Sequence, residues 1–91
     1  MSEDTETRLK RLKIRSWRRG IREMDMILGP FCDECAAGLD PEMLNTYEAM
    51  LSENDQDLYA WVSGREDPPE ELAELLGIVR AHAAQTHAAL R

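Results

Sequence analysis

Residues 21–35 read IREMDMILGPFCDEC. Ile21, Met24, Leu28, Phe31 and Cys35 recur at steps of three and four, which puts them on one face of a helix. Gly29-Pro30 falls inside that pattern. A proline there removes a backbone donor, so the spacing predicts a helix that kinks or restarts at this point. On the N-terminal side Gly20 interrupts the chain. A glycine inside a helix costs ~1 kcal/mol relative to alanine, so Gly20 marks either a break between two helices or a point of close approach. On the C-terminal side Gly38-Leu39-Asp40-Pro41 is a stop and a start, with Gly38 suited to a C-terminal cap, Asp40 to an N-cap and Pro41 to the first helical position.

The rest of the chain repeats the helical period. Thr5 to Arg18 lacks Gly and Pro and predicts a first helix, with Leu9, Leu12 and Ser16 on its inner face, Trp17 as a further apolar point and the arginines mostly outside. A third helix over about 41–52 carries Met43, Leu44, Tyr47, Met50 and Leu51. Residues 52–56 form a polar turn, and a short fourth helix over about 56–63, with Asp55 as its expected cap, carries Leu58, Tyr59, Trp61 and Val62. After a loop rich in Gly, Pro and charge, a last helix over about 69–87 shows the stripe Leu72, Leu75, Leu76 and Val79. No segment alternates with period two, and no repeat is present. The class is all-α: one small bundle of five helices spanning residues 1–91, with residues 1–6 and 84–91 as tails.

The 91 residues leave room for one core, since a domain of this size buries roughly 60–65% of its unfolded surface. Hydrophobic residues at 43% and charged residues at 32% fit a globular helical protein better than a disordered one. No apolar run approaches the ~18–20 residues of a membrane span, and the acidic start lacks the apolar core of a secretory signal. The chain is therefore expected to be cytoplasmic, complete from Met1 and not inserted in a membrane. Its net charge of −7 is unevenly distributed: residues 8–22 hold eight of the eleven basic side chains and no acid, whereas residues 23–91 hold fifteen acids against three arginines. A basic stripe suits nucleic acid, but the acidic remainder repels phosphate. An acidic protein partner, or the chain's own acidic body, is the better match, and no nucleic-acid partner is expected.

Cys32 and Cys35 form a C-x-x-C, a spacing used for zinc and for redox chemistry. The only histidines, His82 and His87, are separated from Cys35 by 46 or more intervening residues, a spacing unlike that of zinc fingers, and no βαβ pattern surrounds the pair. The two thiols are read as structural, facing the core with Phe31, and the histidines as surface or helix-end residues. No metal site and no catalytic set is expected.

Arg18-Arg19-Gly20-Ile21-Arg22-Glu23-Met24-Asp25 stands apart. Arg19 and Glu23, four apart, can pair along a helix in the weaker order, worth ~0.2–0.5 kcal/mol; by spacing alone this is a modest surface salt bridge beside a helix-breaking glycine. Followed by Ile27, Leu28 and Pro30-Phe31, however, the segment resembles the R-G-x-x-E signature of the SdhE (YgfY-like) family. Asp55-Gln56-Asp57-Leu58-Tyr59-Ala60-Trp61 resembles that family's second segment, an acidic turn ending in D-L-aromatic-x-W. The two stand about thirty residues apart in a chain of matching length, and the resemblance covers roughly residues 8–80.

The resemblance implies a five-helix assembly factor, not an enzyme. Such a factor binds the flavoprotein subunit of succinate dehydrogenase, in some members also fumarate reductase, and promotes covalent attachment of FAD to a histidine of that subunit. It implies a partner surface made of Arg18, Arg19, Gly20, Arg22, Glu23, Asp25 and Asp57. In it, Gly20 admits a partner backbone, Arg19 offers a bidentate donor to the partner, and Glu23 orients Arg19. Tyr59 and Trp61 are expected as core anchors beneath this surface, and Asp57 either as a helix cap or as part of an acidic rim. No FAD is expected to be held tightly by this chain, which lacks a dinucleotide-binding glycine motif, and the free protein is expected to be a monomer. The alternatives are an antitoxin-type regulator of another protein, a label also given to this family, a nucleic-acid binder using Arg8 to Arg22, and a zinc protein.

Overall fold

The Asp4 carboxylate accepts a hydrogen bond from the Thr7 backbone N–H at 2.7 Å and starts helix α1, Thr5–Trp17. In the computed structural model, which describes the backbone of residues 4–88 and side chains through residue 85, four more helices follow. They are α2 (Arg22–Cys35), α3 (Pro41–Met50), α4 (Asp55–Val62) and α5 (Glu70–Ala88), with a 3-10 turn at Ala36–Gly38. No strand occurs among the described residues. The expected class, order and number of helices are therefore observed. Helix α5 extends into the segment expected as the C-terminal tail, and α1 begins within the N-terminal one; residues 1–3 and 89–91 lie outside the described residues.

The core is assembled from the apolar stripes. Leu12, Met24, Leu28, Phe31, Tyr47, Met50, Leu58, Leu75, Leu76 and Val79 are fully buried. Helix α5 supplies its stripe to α2, α3 and α4, and α1 packs on α2. At 25–30 cal/mol per Å², each such buried side chain contributes roughly 1.5–3 kcal/mol. One polar pair sits among them. Ser16 donates its hydroxyl proton to the Leu12 carbonyl at 2.7 Å, and its oxygen lies 2.6 Å from the Tyr47 hydroxyl. Since serine has a single proton, Tyr47 is the donor of the second bond.

Of two local expectations, one is narrowed and one corrected. Helix α2 runs unbroken through Pro30, without a restart: Gly29 and Phe31 on either side are buried, so packing holds the turn that loses one backbone bond. Gly38 is not a left-handed C-cap, because the only glycine with positive φ among the described residues is Gly64, at 83°. The end of α2 instead tightens into the 3-10 turn, a common alternative for satisfying terminal carbonyls. Asp40 and Pro41 behave as read: the Asp40 carboxylate accepts from the Met43 N–H at 2.7 Å, with Pro41 in the first turn. No helix among the described residues is long and apolar enough to cross a membrane.

Candidate functional site

Helix α1 stops at Trp17, Arg18 and Ile21 leave helical backbone angles, and α2 starts at Arg22. Gly20 is thus a break between two helices. The break also prevents the pairing expected from four-residue spacing: Arg19 lies outside α2, and Glu23, exposed in its first turn, makes no ion pair with it.

Arg19 turns inward. Its Nε donates to Asp55 Oδ1 at 2.7 Å, its Nη1 to the Leu51 carbonyl at 2.8 Å and its Nη2 to the Glu53 carbonyl at 3.2 Å. Leu51 is the C-cap of α3, so the guanidinium satisfies carbonyls at the negative end of that helix. Its side chain is 9% exposed. The bidentate donor expected to face a partner is therefore already engaged within the free protein.

Asp55 is the other half of this arrangement. Asn54, not Asp55, caps α4, accepting from the Gln56 N–H at 2.8 Å. Adjacent Asn and Asp are equally able to cap; here Asp55 is drawn away by a full positive charge. Its Oδ1 receives Arg19 Nε and its Oδ2 receives the Gly20 N–H. Asp25, in the first turn of α2, accepts the Arg19 backbone N–H. Two carboxylates from two helices thus fasten the Arg19-Gly20 turn.

Gly20 has an internal reason to lack a side chain. A Cβ there would stand 2.7 Å from Asp55 Oδ2, so the chain's own carboxylate occupies the space a side chain would need. Arg18, Arg22 and Glu23 are exposed around the fastened turn, and none makes a side-chain ion pair or hydrogen bond among the described residues. Asp57 is exposed in the first turn of α4; Asn54 occupies the cap, which leaves Asp57 on the acidic surface. Trp61 is buried, while Tyr59 is half-buried, with the Arg65 guanidinium 5.8 Å from its ring centroid. Glu23 and Tyr59 border an open groove of about 530 Å³ that continues past Met26 and Val62 to Arg80.

The basic segment is partly neutralised by the body of the same chain. Arg8 and Arg11 reach Glu48 at 3.0 and 2.9 Å, Lys13 reaches Asp33 at 3.6 Å, and Arg19 reaches Asp55. The Arg11 hydrogen bond above all, with Arg8 adding to it, holds the Glu48 carboxyl below its usual range.

Cys32 is buried and Cys35 half-buried; both thiols are free, and burial pushes both up, away from the thiolate that redox or metal chemistry needs. No cluster of three or more His, Cys, Asp or Glu side chains with metal-binding geometry occurs among the described residues. His82 is not the surface residue expected. It lies edge-on to Phe31, with ring centroids 5.5 Å apart, and its Nε2 is 3.1 Å from Glu34 Oε1, tying α5 to α2. The side chain of His87 lies outside the described residues.

The Arg19–Asp55 bond spans 36 residues, and no local spacing rule reaches that far. The available signal was the joint presence of the two segments that supply the pair.

Residues 10–83 match the family model described as flavinator of succinate dehydrogenase (Sdh5). The chain is similar to the FAD assembly factor SdhE of Pseudomonas aeruginosa, 41% identical over 75 residues covering 82% of this chain and 86% of that protein. It is also similar to the protein of the same name from Legionella pneumophila, 36% identical over 63 residues, covering 69% and 80% respectively. The mitochondrial succinate dehydrogenase assembly factor 2 of Aspergillus terreus is 44% identical over 69 residues, 76% of this chain. The chain spans only 23% of the length of that fungal relative.

Proposed function

Because the chain belongs to the flavinator of succinate dehydrogenase family, we propose that it is an assembly factor that docks on the flavoprotein subunit of succinate dehydrogenase and promotes covalent attachment of FAD to it. The observation that carries this reading is the meeting of Arg19-Gly20 with Asp55. Two segments far apart in sequence are joined into one rigid turn, and unpaired charged side chains project around it. That is how a binding protein presents a contact surface.

The chemistry of flavin attachment belongs to the partner. This chain offers no glycine-rich phosphate cradle, and the groove beside Glu23 combines one carboxylate and Arg80 with apolar side chains, a poor match for a dinucleotide's phosphates. FAD is therefore assigned to the flavoprotein subunit. The factor acts by holding that subunit in the conformation in which its acceptor side chain lies against the flavin. Restricting two reactants to a near-attack geometry is a recognised source of rate enhancement and needs no reacting group from the factor.

The test deletes the gene and measures flavin fluorescence in the denatured flavoprotein band. Loss of covalent flavin, restored by the wild-type gene, is the expected result. A band with normal covalent flavin in the deletion strain refutes the proposal.

A further inference from the structure

We infer that Asp55 is a positioning residue for docking: it fixes the Arg19-Gly20 turn from within, and the side chains that meet the partner are Arg18, Arg22 and Glu23. This rests on the reading that the turn docks on the flavoprotein subunit.

Each guanidinium nitrogen of Arg19 and each carboxylate oxygen of Asp55 makes a hydrogen bond inside the chain. Asp55 gives one oxygen to Arg19 Nε and the other to the Gly20 N–H. Arg19 gives its remaining nitrogens to the Leu51 and Glu53 carbonyls. The two side chains are 9% and 18% exposed. For Arg19 to swing out to a partner it would abandon a part-buried carboxylate and two carbonyls at once, each of which is costly to leave unpaired. Arg19 and Asp55 therefore stay together on binding.

What remains outside is a fixed display of charge. Arg18 precedes the turn, Arg22 and Glu23 open α2, and all three are exposed without side-chain partners among the described residues. A protein surface that fits them carries carboxylates opposite Arg18 and Arg22 and a donor opposite Glu23. Residues 18–21 are non-helical, so a loose turn would have to be ordered during binding. The Asp55 bonds order it beforehand, which raises affinity without any contact of their own.

The experiment measures binding of the full chain to purified flavoprotein subunit by calorimetry, with helicity checked by circular dichroism. Arg19→Ala and Asp55→Ala are each expected to weaken binding by about tenfold or more, and the double variant by no more than the worse single, because both remove the same latch. At saturating factor the yield of covalent flavin is unchanged. Arg22→Ala and Glu23→Ala weaken binding while the Gly20 amide stays protected from hydrogen exchange; Asp55→Ala loses that protection. Wild-type affinity in Asp55→Ala, or a further loss on adding Arg19→Ala, overturns the inference. If Asp55→Ala does not fold, the isosteric Asp55→Asn decides on the same criteria. A wild-type chain with no affinity for the subunit overturns the docking reading, whereas an unprotected Gly20 amide in the wild type overturns the latch itself.

Discussion

The ring of Trp17 fills the space in which a Cβ on Gly29 would stand. The indole reaches over from the last residue of α1 onto buried Gly29 in α2, and its N–H points to Asp33 at 3.2 Å. A glycine inside a helix costs about 1 kcal/mol in propensity; here that cost is offset by the packing of a large aromatic ring. Gly29→Ala is therefore expected to destabilise the protein by about 1–3 kcal/mol, since overpacking outweighs the propensity gained. Urea denaturation measures this. Adding Trp17→Ala to Gly29→Ala is expected to recover part of the loss relative to Trp17→Ala alone, and additivity of the two changes would contradict the contact.

The buried Ser16–Tyr47 pair gives an asymmetric prediction. Tyr47→Phe leaves Ser16 its bond to the Leu12 carbonyl and is expected to cost about 1 kcal/mol. Ser16→Ala leaves the Tyr47 hydroxyl with the Leu28 carbonyl, 3.5 Å away, and the Cys32 thiol, both weaker partners, and is expected to cost more, about 1–3 kcal/mol. Equal losses in denaturant titrations would show that Tyr47 has a better second acceptor.

Stability is expected to fall at both ends of the pH range for identified reasons. Burial pushes the Tyr47 hydroxyl far above its usual value near 10, against a smaller opposing effect of its bond with Ser16. The folded chain keeps that proton where the unfolded chain loses it. The contribution is thus whole below about pH 10 and declines above it, by about 1.4 kcal/mol per pH unit for one proton. Tyr47→Phe flattens this alkaline slope. Glu48 works in the other direction, held low chiefly by Arg11 with Arg8 adding to it. Its contribution is present above the usual 4.5 and is lost as pH falls through the lowered folded value. Glu48→Gln is expected to reduce the acid-limb slope in denaturation measured from pH 6 to 3.

Gly20→Ala is expected to open the turn. Its Cβ meets a carboxylate that cannot simply rotate away, because Arg19 holds the other oxygen. The loss of charge-assisted bonds is expected to cost about 1–3 kcal/mol in stability, with helicity retained. Circular dichroism and exchange protection of the Gly20 amide check it; a protein as stable as wild type with that amide still protected would show that Asp55 has room to move.

The helices were legible in the sequence because each carries its own signal. The stripe Leu72, Leu75, Leu76 and Val79 needs no knowledge of its partners, and Asp40-Pro41 announces a helix start by local chemistry alone. The site was legible only as two segments. Assigning Arg19 to Glu23 assumed a continuous helix, and the chain is non-helical from Arg18 to Ile21. Assigning the α4 cap to Asp55 assumed that a carboxylate beside a helix start serves that start, whereas Asn54 does so and Asp55 answers a charge 36 positions away. Rules of near spacing find elements; which charge meets which across the fold is decided by packing.

The distance between Arg19 and Asp55 along the chain also sets an order of events. The donor leaves the ribosome first, and its acceptor follows only after α3 has been made. Until α3 and α4 are seated on α2, Arg19 has neither its carboxylate nor its two carbonyls, and the turn has no fixed shape. If the turn docks as proposed, a nascent, truncated or partly melted chain therefore presents it without its fixed shape and binds more weakly. On that reading the latch works as a certificate of completion, favouring a finished factor over an unfinished one.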